Sequence, residues 1–164
     1  MKALTLYEPF ARLVGVGVKS VETRSWGTSY RGPLAIHAAK KWDDEVCADI
    51  ERVRADLKKC WALCGLGLRD DQKAMLYDLP WRDGLGCVLA VVNMVDCRPM
   101  VEAPDRVEEL FGSFGPGRWG WVFRGVEPLP SPIPCRGNRM LWELPADVEE
   151  RVTENLLDRR KEKS

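Results

Sequence analysis

The spacing of apolar residues changes for one long stretch, and that change constrains the fold more than any other feature. From Trp42 to Gly65 the spacing is helical, with Val46, Ile50, Val53 and Leu57 forming one stripe. Most of the remaining segments read as short strands. Ala3 to Leu6 comes first. A helix opens at Glu8-Pro9-Phe10, carries Phe10, Leu13 and Val14 on one face, and ends at Gly15 and Gly17. Ser20 to Arg24 alternates, which puts Lys19, Val21 and Thr23 on one face and Ser20, Glu22 and Arg24 on the other. After the turn Arg31-Gly32-Pro33, Leu34 to Ala38 is a buried strand with His37 near its end. A second, weaker helix is expected around Asp70 to Tyr77. Cys87 to Asp96 is the longest strand-like run, and Pro104 to Phe111 is a short helix with Val107, Leu110 and Phe111 inward. Strands at Arg118 to Val126 and Met140 to Leu144 follow, and a helix from Pro145 to Lys161 with Val148, Val152 and Leu156 on one side. Five or six strands interrupted by two helical episodes predict one α+β domain whose strands curl into a small barrel, not a repeated βαβ pattern.

A chain of 164 residues with 45% hydrophobic and 30% charged residues reads as globular, and it is long enough to bury a core. Lys2 is followed by only a short apolar run, broken at Glu8 and Pro9, so no signal peptide is read there. The most continuous apolar stretch, Cys87 to Val92, is far short of the ~20 residues of a membrane helix. A cytoplasmic protein without membrane association is therefore expected, its six cysteines reduced. Cys60 and Cys64 stand one helical turn apart but lack a second pair at zinc-site spacing, so they read as buried thiols, and neither metal nor cofactor is expected.

The net charge is zero, but its distribution is uneven. Residues 1–41 hold seven Lys or Arg against two acids, and residues 118–142 hold four against one, which makes these segments +8 and the rest −8. Such segregation gives a neutral protein a positive face. Three segments carry the candidate chemistry. Gly17 to Trp26 packs Lys19, Glu22, Thr23, Arg24 and Trp26 into a short span; its plain alternative is an edge strand using charge to block aggregation. Tyr30 to Lys40 adds Arg31, Lys40 and the sole histidine, His37, which on its own reads as a structural residue. Phe114 to Trp121 sets Arg118, Trp119 and Trp121 beside a glycine-rich loop. The turn Arg136-Gly137-Asn138-Arg139 is basic and weak by itself. Gly15-Val16-Gly17 is not a dinucleotide fingerprint, since it follows a helix, and Ser25 with His37 lacks an acid partner for a triad.

In this order, Leu4 to Ala11, Gly17 to Arg24, Tyr30 to Ala38 and Gly117 to Trp121 resemble the ASCH domain of the PUA-like β-barrel superfamily. The resemblance implies a PUA-like domain over residues 1–144, with residues 41–85 a helical insertion within it and residues 145–164 a C-terminal helix. It also implies a cleft that the Gly17-to-Arg24 signature faces, with RNA or DNA as the usual partner. Some small members are amidohydrolases on N4-acetylcytidine, and another has been proposed to be a ribonuclease. In the amidohydrolases a lysine is followed three positions later by a nucleophilic threonine. Here Lys19 matches the lysine, but Glu22 stands three later and the threonine is Thr23.

Two functions are weighed, with a structural adaptor whose protein partner is unidentified behind them. The first is a binding module for single-stranded nucleic acid or a nucleoside-like small molecule. Lys19, Arg24, Arg31, Lys40, Arg118 and Arg139 would neutralise phosphate, and Trp26, Tyr30 or Trp119 would stack a base. Glu22 would accept a hydrogen bond from a base amino group, and His37 lies beside them. The second is hydrolysis of an amide or phosphodiester, with Lys19 as base, Thr23 or a water as nucleophile and Glu22 returning the proton.

Overall fold

The structure, a computed structural model, describes residues 1–64, 68–78 and 80–162. Six strands form one sheet: β1 (Lys2–Leu6), β2 (Val21–Arg24), β3 (Gly32–Ala38), β4 (Cys87–Pro99), β5 (Trp119–Pro134) and β6 (Leu141–Glu143), in the order β2-β5-β4-β3-β1-β6. Only β1 and β3 run parallel, with Lys2 opposite Leu34 and Leu6 opposite Ala38. The other pairs are antiparallel. The helices are α1 (Phe10–Gly15), α2 (Asp44–Cys64), α3 (Asp70–Lys73), α4 (Arg106–Phe111) and α5 (Ala146–Glu162). A π-helical turn at Ala74–Asp78 continues α3, and a 3₁₀ turn at Trp81–Gly84 leads into β4. None of the described helices is long and apolar enough to cross a membrane.

The sheet is buried on both faces in its centre, and the alternation of strand side chains explains how. In β3, Leu34, Ile36 and Ala38 join Ala11 and Val14 of α1, Met94 of β4, and Trp121 and Phe123 of β5 in the inner core. Ala35, between them, points the other way and meets Val88, Val91 and the α5 stripe Val148, Val152 and Leu156. A third cluster holds Val46, Ile50, Val53 and Leu57 of α2 against Leu13, Trp81 and Phe111. The expected helical stripe and terminal helix thus pack as read from their spacing. The side chains of Cys60 and Cys64 lie outside the described residues.

Two elements differ from expectation. β5 continues to Pro134 rather than stopping at Val126, through Pro128, Pro130, Pro132 and Pro134. Proline cannot donate to a ladder and survives at sheet edges. β2 pairs only with residues 119–122 of β5, so the proline half forms such an edge. In α4 the buried residues are Glu108 and Phe111, while Val107 and Leu110 are half-buried. The apolar reading of that helix left no place for an inward carboxylate.

Candidate nucleic-acid interface

With β2 at one end of the sheet and β6 at the other, the curl leaves a seam between edges that share no ladder. β6 covers β1 only from Lys2 to Leu4. Beyond it, the Thr5 carbonyl accepts a hydrogen bond from Nη2 of Arg24 on β2, at 3.1 Å. A side chain closes the seam where backbone does not, and a hollow of about 370 Å³ remains there. It is lined by Thr5, Tyr7 and Phe10 on one side, Glu22, Arg24 and Trp26 on another, and the turn Asn138-Arg139-Met140 across from them.

Beneath this hollow lies a buried charge cluster. The chain leaving α1 is fixed by the Val18 and Lys19 amides, both donating to the Leu13 carbonyl. This brings the Lys19 side chain, 1% exposed, between two carboxylates. Its Nζ lies 3.8 Å from Glu22 and 3.8 Å from Glu108, and it donates to the Val21 carbonyl. Glu108 in turn accepts from the Ser20 amide and hydroxyl and from the Val21 amide. Glu22, its side chain 13% exposed, also lies 3.2 Å from Nε of Arg24. The expectation that Glu22 points away from Lys19 is corrected here. β2 begins only at Val21, so Lys19 is outside the strand and not bound by its alternation. Nζ is thus enclosed by Glu22, Glu108 and the Val21 carbonyl.

Glu22 and Thr23 also border a second hollow of about 280 Å³, with Phe10, Arg52 and Arg118. There the Thr23 hydroxyl accepts from the Ser113 amide and from Arg118, whose guanidinium also donates to the Thr23 and Ser113 carbonyls. Arg118 therefore ties the glycine-rich loop to β2.

On the far side of Asn138 and Arg139, the seam hollow adjoins a larger one of about 1160 Å³, lined among others by His37, Lys40, Gly86, Arg136 and Gly137. His37 is 1% exposed. Its Nε2 lies 3.0 Å from the Cys135 carbonyl, and its ring stands edge-on to Trp142, which donates to the Thr5 hydroxyl. A Cβ on Gly137 would come within 2.4 Å of the ring, so the glycine lies directly over it. Burial pushes the imidazole pKa down, which keeps it neutral at pH 7. His37 thus packs against the basic turn through Gly137 and the Cys135 carbonyl while lining the larger hollow.

Of the other expected residues, Tyr30, Arg31 and Trp119 line none of these three hollows. Tyr30 donates to the Pro33 carbonyl, and Arg31 pairs with Asp96 at 3.3 Å while donating to the Thr28 and Tyr30 carbonyls. Trp119 is covered by its own neighbour, for a Cβ on Gly27 would fall 2.5 Å from the indole. Trp121 is fully buried, stands edge-on to Trp26 at 4.6 Å and donates to the Trp26 carbonyl, fixing Trp26 at the hollow. Sequence reasoning missed Glu108, Tyr7 and Met140. Tyr7 and Met140 are each 57% exposed, at the hollow, and an exposed aromatic directly after a strand was the available signal for Tyr7.

The ASCH domain family matches residues 4–130. Activating signal cointegrator 1 of Mus musculus is 25% identical over 162 residues, covering 96% of this chain and 25% of the relative. The Homo sapiens protein of that name is 24% identical over 159 residues, with the same coverage. The chain thus spans about a quarter of the length of these relatives. The crystal structure of an ASCH protein from Zymomonas mobilis aligns over 93% of both chains with a TM-score of 0.50 at 12% identity, a likeness of fold. The curled sheet is PUA-like, and the chain belongs to the ASCH domain family.

Proposed function

We propose that the seam hollow receives one unpaired base of a single-stranded nucleic acid, RNA or DNA, and prefers a base with an exocyclic amino group. The observation that carries this is Glu22, a carboxylate held between Lys19 and Arg24 yet still facing the hollow. A groove that only neutralised phosphate would have no use for an anion there. A carboxylate accepts well from the N4 amino group of cytosine, and uracil offers no such donor. Trp26 inside and Tyr7 at the mouth supply ring faces for stacking, worth about 1–3 kcal/mol per base. The hydrolase reading is less well supported, because Lys19 is sealed beneath the hollow it would have to serve.

The test is a direct comparison of fluorescein-labelled cytidine and uridine decamers by anisotropy, for wild type and Glu22→Gln. Wild type binds the cytidine decamer more tightly, and the variant loses that preference. Equal affinity of wild type for both decamers would sink the reading. Incubation with N4-acetylcytidine and with short RNA separates it from hydrolysis, since the binding reading expects neither to be turned over.

A further inference from the structure

The cations of this protein are mostly engaged. Lys2 pairs with Glu143, Arg24 with Glu22, Arg31 with Asp96 and Lys41 with Asp43 and Glu45. Lys40, Arg136 and Arg139 differ: all three are exposed, and none makes an ion pair among the described residues. They line one concavity, the hollow of about 1160 Å³, whose described lining contains no Asp or Glu. Its walls are fixed. Lys40 lies along Gly86, whose positive φ of 70° turns the chain beneath it, and the Arg136-to-Arg139 turn is clamped by His37, Gly137 and Cys135. Thr5, Ala39, Asn138 and Arg139 belong to both this hollow and the one at the seam, so the two form a single bent groove.

From this we infer that the larger hollow is a phosphate track, and that the ligand is a strand of several nucleotides rather than a free base or nucleoside. Resting on the seam reading, it assigns the adjoining phosphodiester and the next nucleotides to Lys40, Arg136 and Arg139. The smaller hollow sits at the low end of the roughly 300–1,000 Å³ typical of small-ligand sites and has room for a single small ligand. The larger exceeds that range and sets three unpaired cations along a wall with no carboxylate among its described residues. That suits a polyanion that continues past the base.

Counterion release makes the track measurable. Each phosphate neutralised on a single strand contributes about 0.7 to the slope of log affinity against log salt. In the triple variant Lys40→Gln, Arg136→Gln, Arg139→Gln that slope for a cytidine decamer is expected to fall by about 2, so affinity at 0.1 M salt falls roughly a hundredfold while the value extrapolated to 1 M is kept. Each single variant lowers the slope by about 0.7, which preserves the reading should the triple variant fail to fold. Wild-type slopes in the variants would overturn the track and leave the cytidine preference standing. Loss of that preference in Glu22→Gln with a reduced slope in the triple variant supports both. A polyglutamate peptide of equal charge displacing the decamer as well as unlabelled decamer does would show a general acidic-partner face and also overturn the track.

Discussion

Two buried charge clusters stand at opposite ends of α1, and they serve different ends. At its start, Glu8 and Arg12 are 1% and 6% exposed. Glu8 accepts from the Arg12 amide, and Arg12 donates to the Pro80 and Trp81 carbonyls and lies over the Trp81 ring at 4.5 Å. That cluster joins helix to turn. Past the end of α1, Lys19 holds Glu22 and Glu108, and one of those carboxylates faces two hollows. A buried ion pair is weak evidence of stability, because desolvation offsets most of the attraction. What separates the two clusters is that the second presents a fixed carboxylate outward.

The largest effect comes from breaking the second cluster. Lys19→Ala leaves two carboxylates without their shared cation, and removing one partner of a buried pair costs about 3–5 kcal/mol. Urea denaturation is expected to show that loss. A cost below about 1 kcal/mol would mean that Lys19 is not what holds Glu22 and Glu108 together.

The first cluster shows itself through pH. Burial raises the Glu8 pKa from 4.5 to about 7, against the opposing pull of Arg12. The folded state therefore holds a proton on Glu8 that the unfolded state releases between pH 4.5 and 7. The stability from that proton is complete below pH 4.5 and is lost as pH rises through 7. It amounts to something on the order of 3 kcal/mol. Melting temperature is expected to decline across this interval in wild type and to stay flatter in Glu8→Gln. Equal slopes for the two proteins would place the titration elsewhere.

Much of this was legible in the sequence, and the gaps have physical causes. The strands and the α2 stripe followed from alternation and helical spacing, and Glu22, Arg24, Trp26 and Arg139 do meet at the seam hollow. Glu108 was hidden because its partners, Lys19 and Ser20, lie almost ninety residues away, and a four-residue period cannot report a pairing across the fold. Trp119 and Arg31 had the right chemistry but found partners in their own surroundings first, Gly27 and Asp96. A list of cations and rings does not say which are already engaged.

The basic turn gives a smaller effect. Gly137→Ala would drive a methyl to within 2.4 Å of the His37 ring, and overpacking of this kind costs typically 1–3 kcal/mol. Decamer binding should weaken with it, because Arg136 and Arg139 ride on that turn. Weaker binding without any loss of stability would mean that the turn moves freely on its anchor.

The smallest change in stability is expected at Tyr7, where it separates folding from binding most cleanly. The ring is 57% exposed, with the Lys41 ammonium 5.2 Å from its centre. Removing an exposed side chain outside the core usually changes stability by no more than about 0.5 kcal/mol. Yet the ring lines the seam hollow beside Glu22 and Trp26. If a base stacks there, Tyr7→Ala weakens cytidine decamer binding by about 1 kcal/mol or more, and does so at every salt concentration, because stacking releases no counterions. Parallel salt plots displaced by a constant amount would mark Tyr7 as a stacking surface, in contrast to the changed slopes expected at Lys40 and Arg136. Coincident plots would leave Trp26 as the ring on which a base must rest.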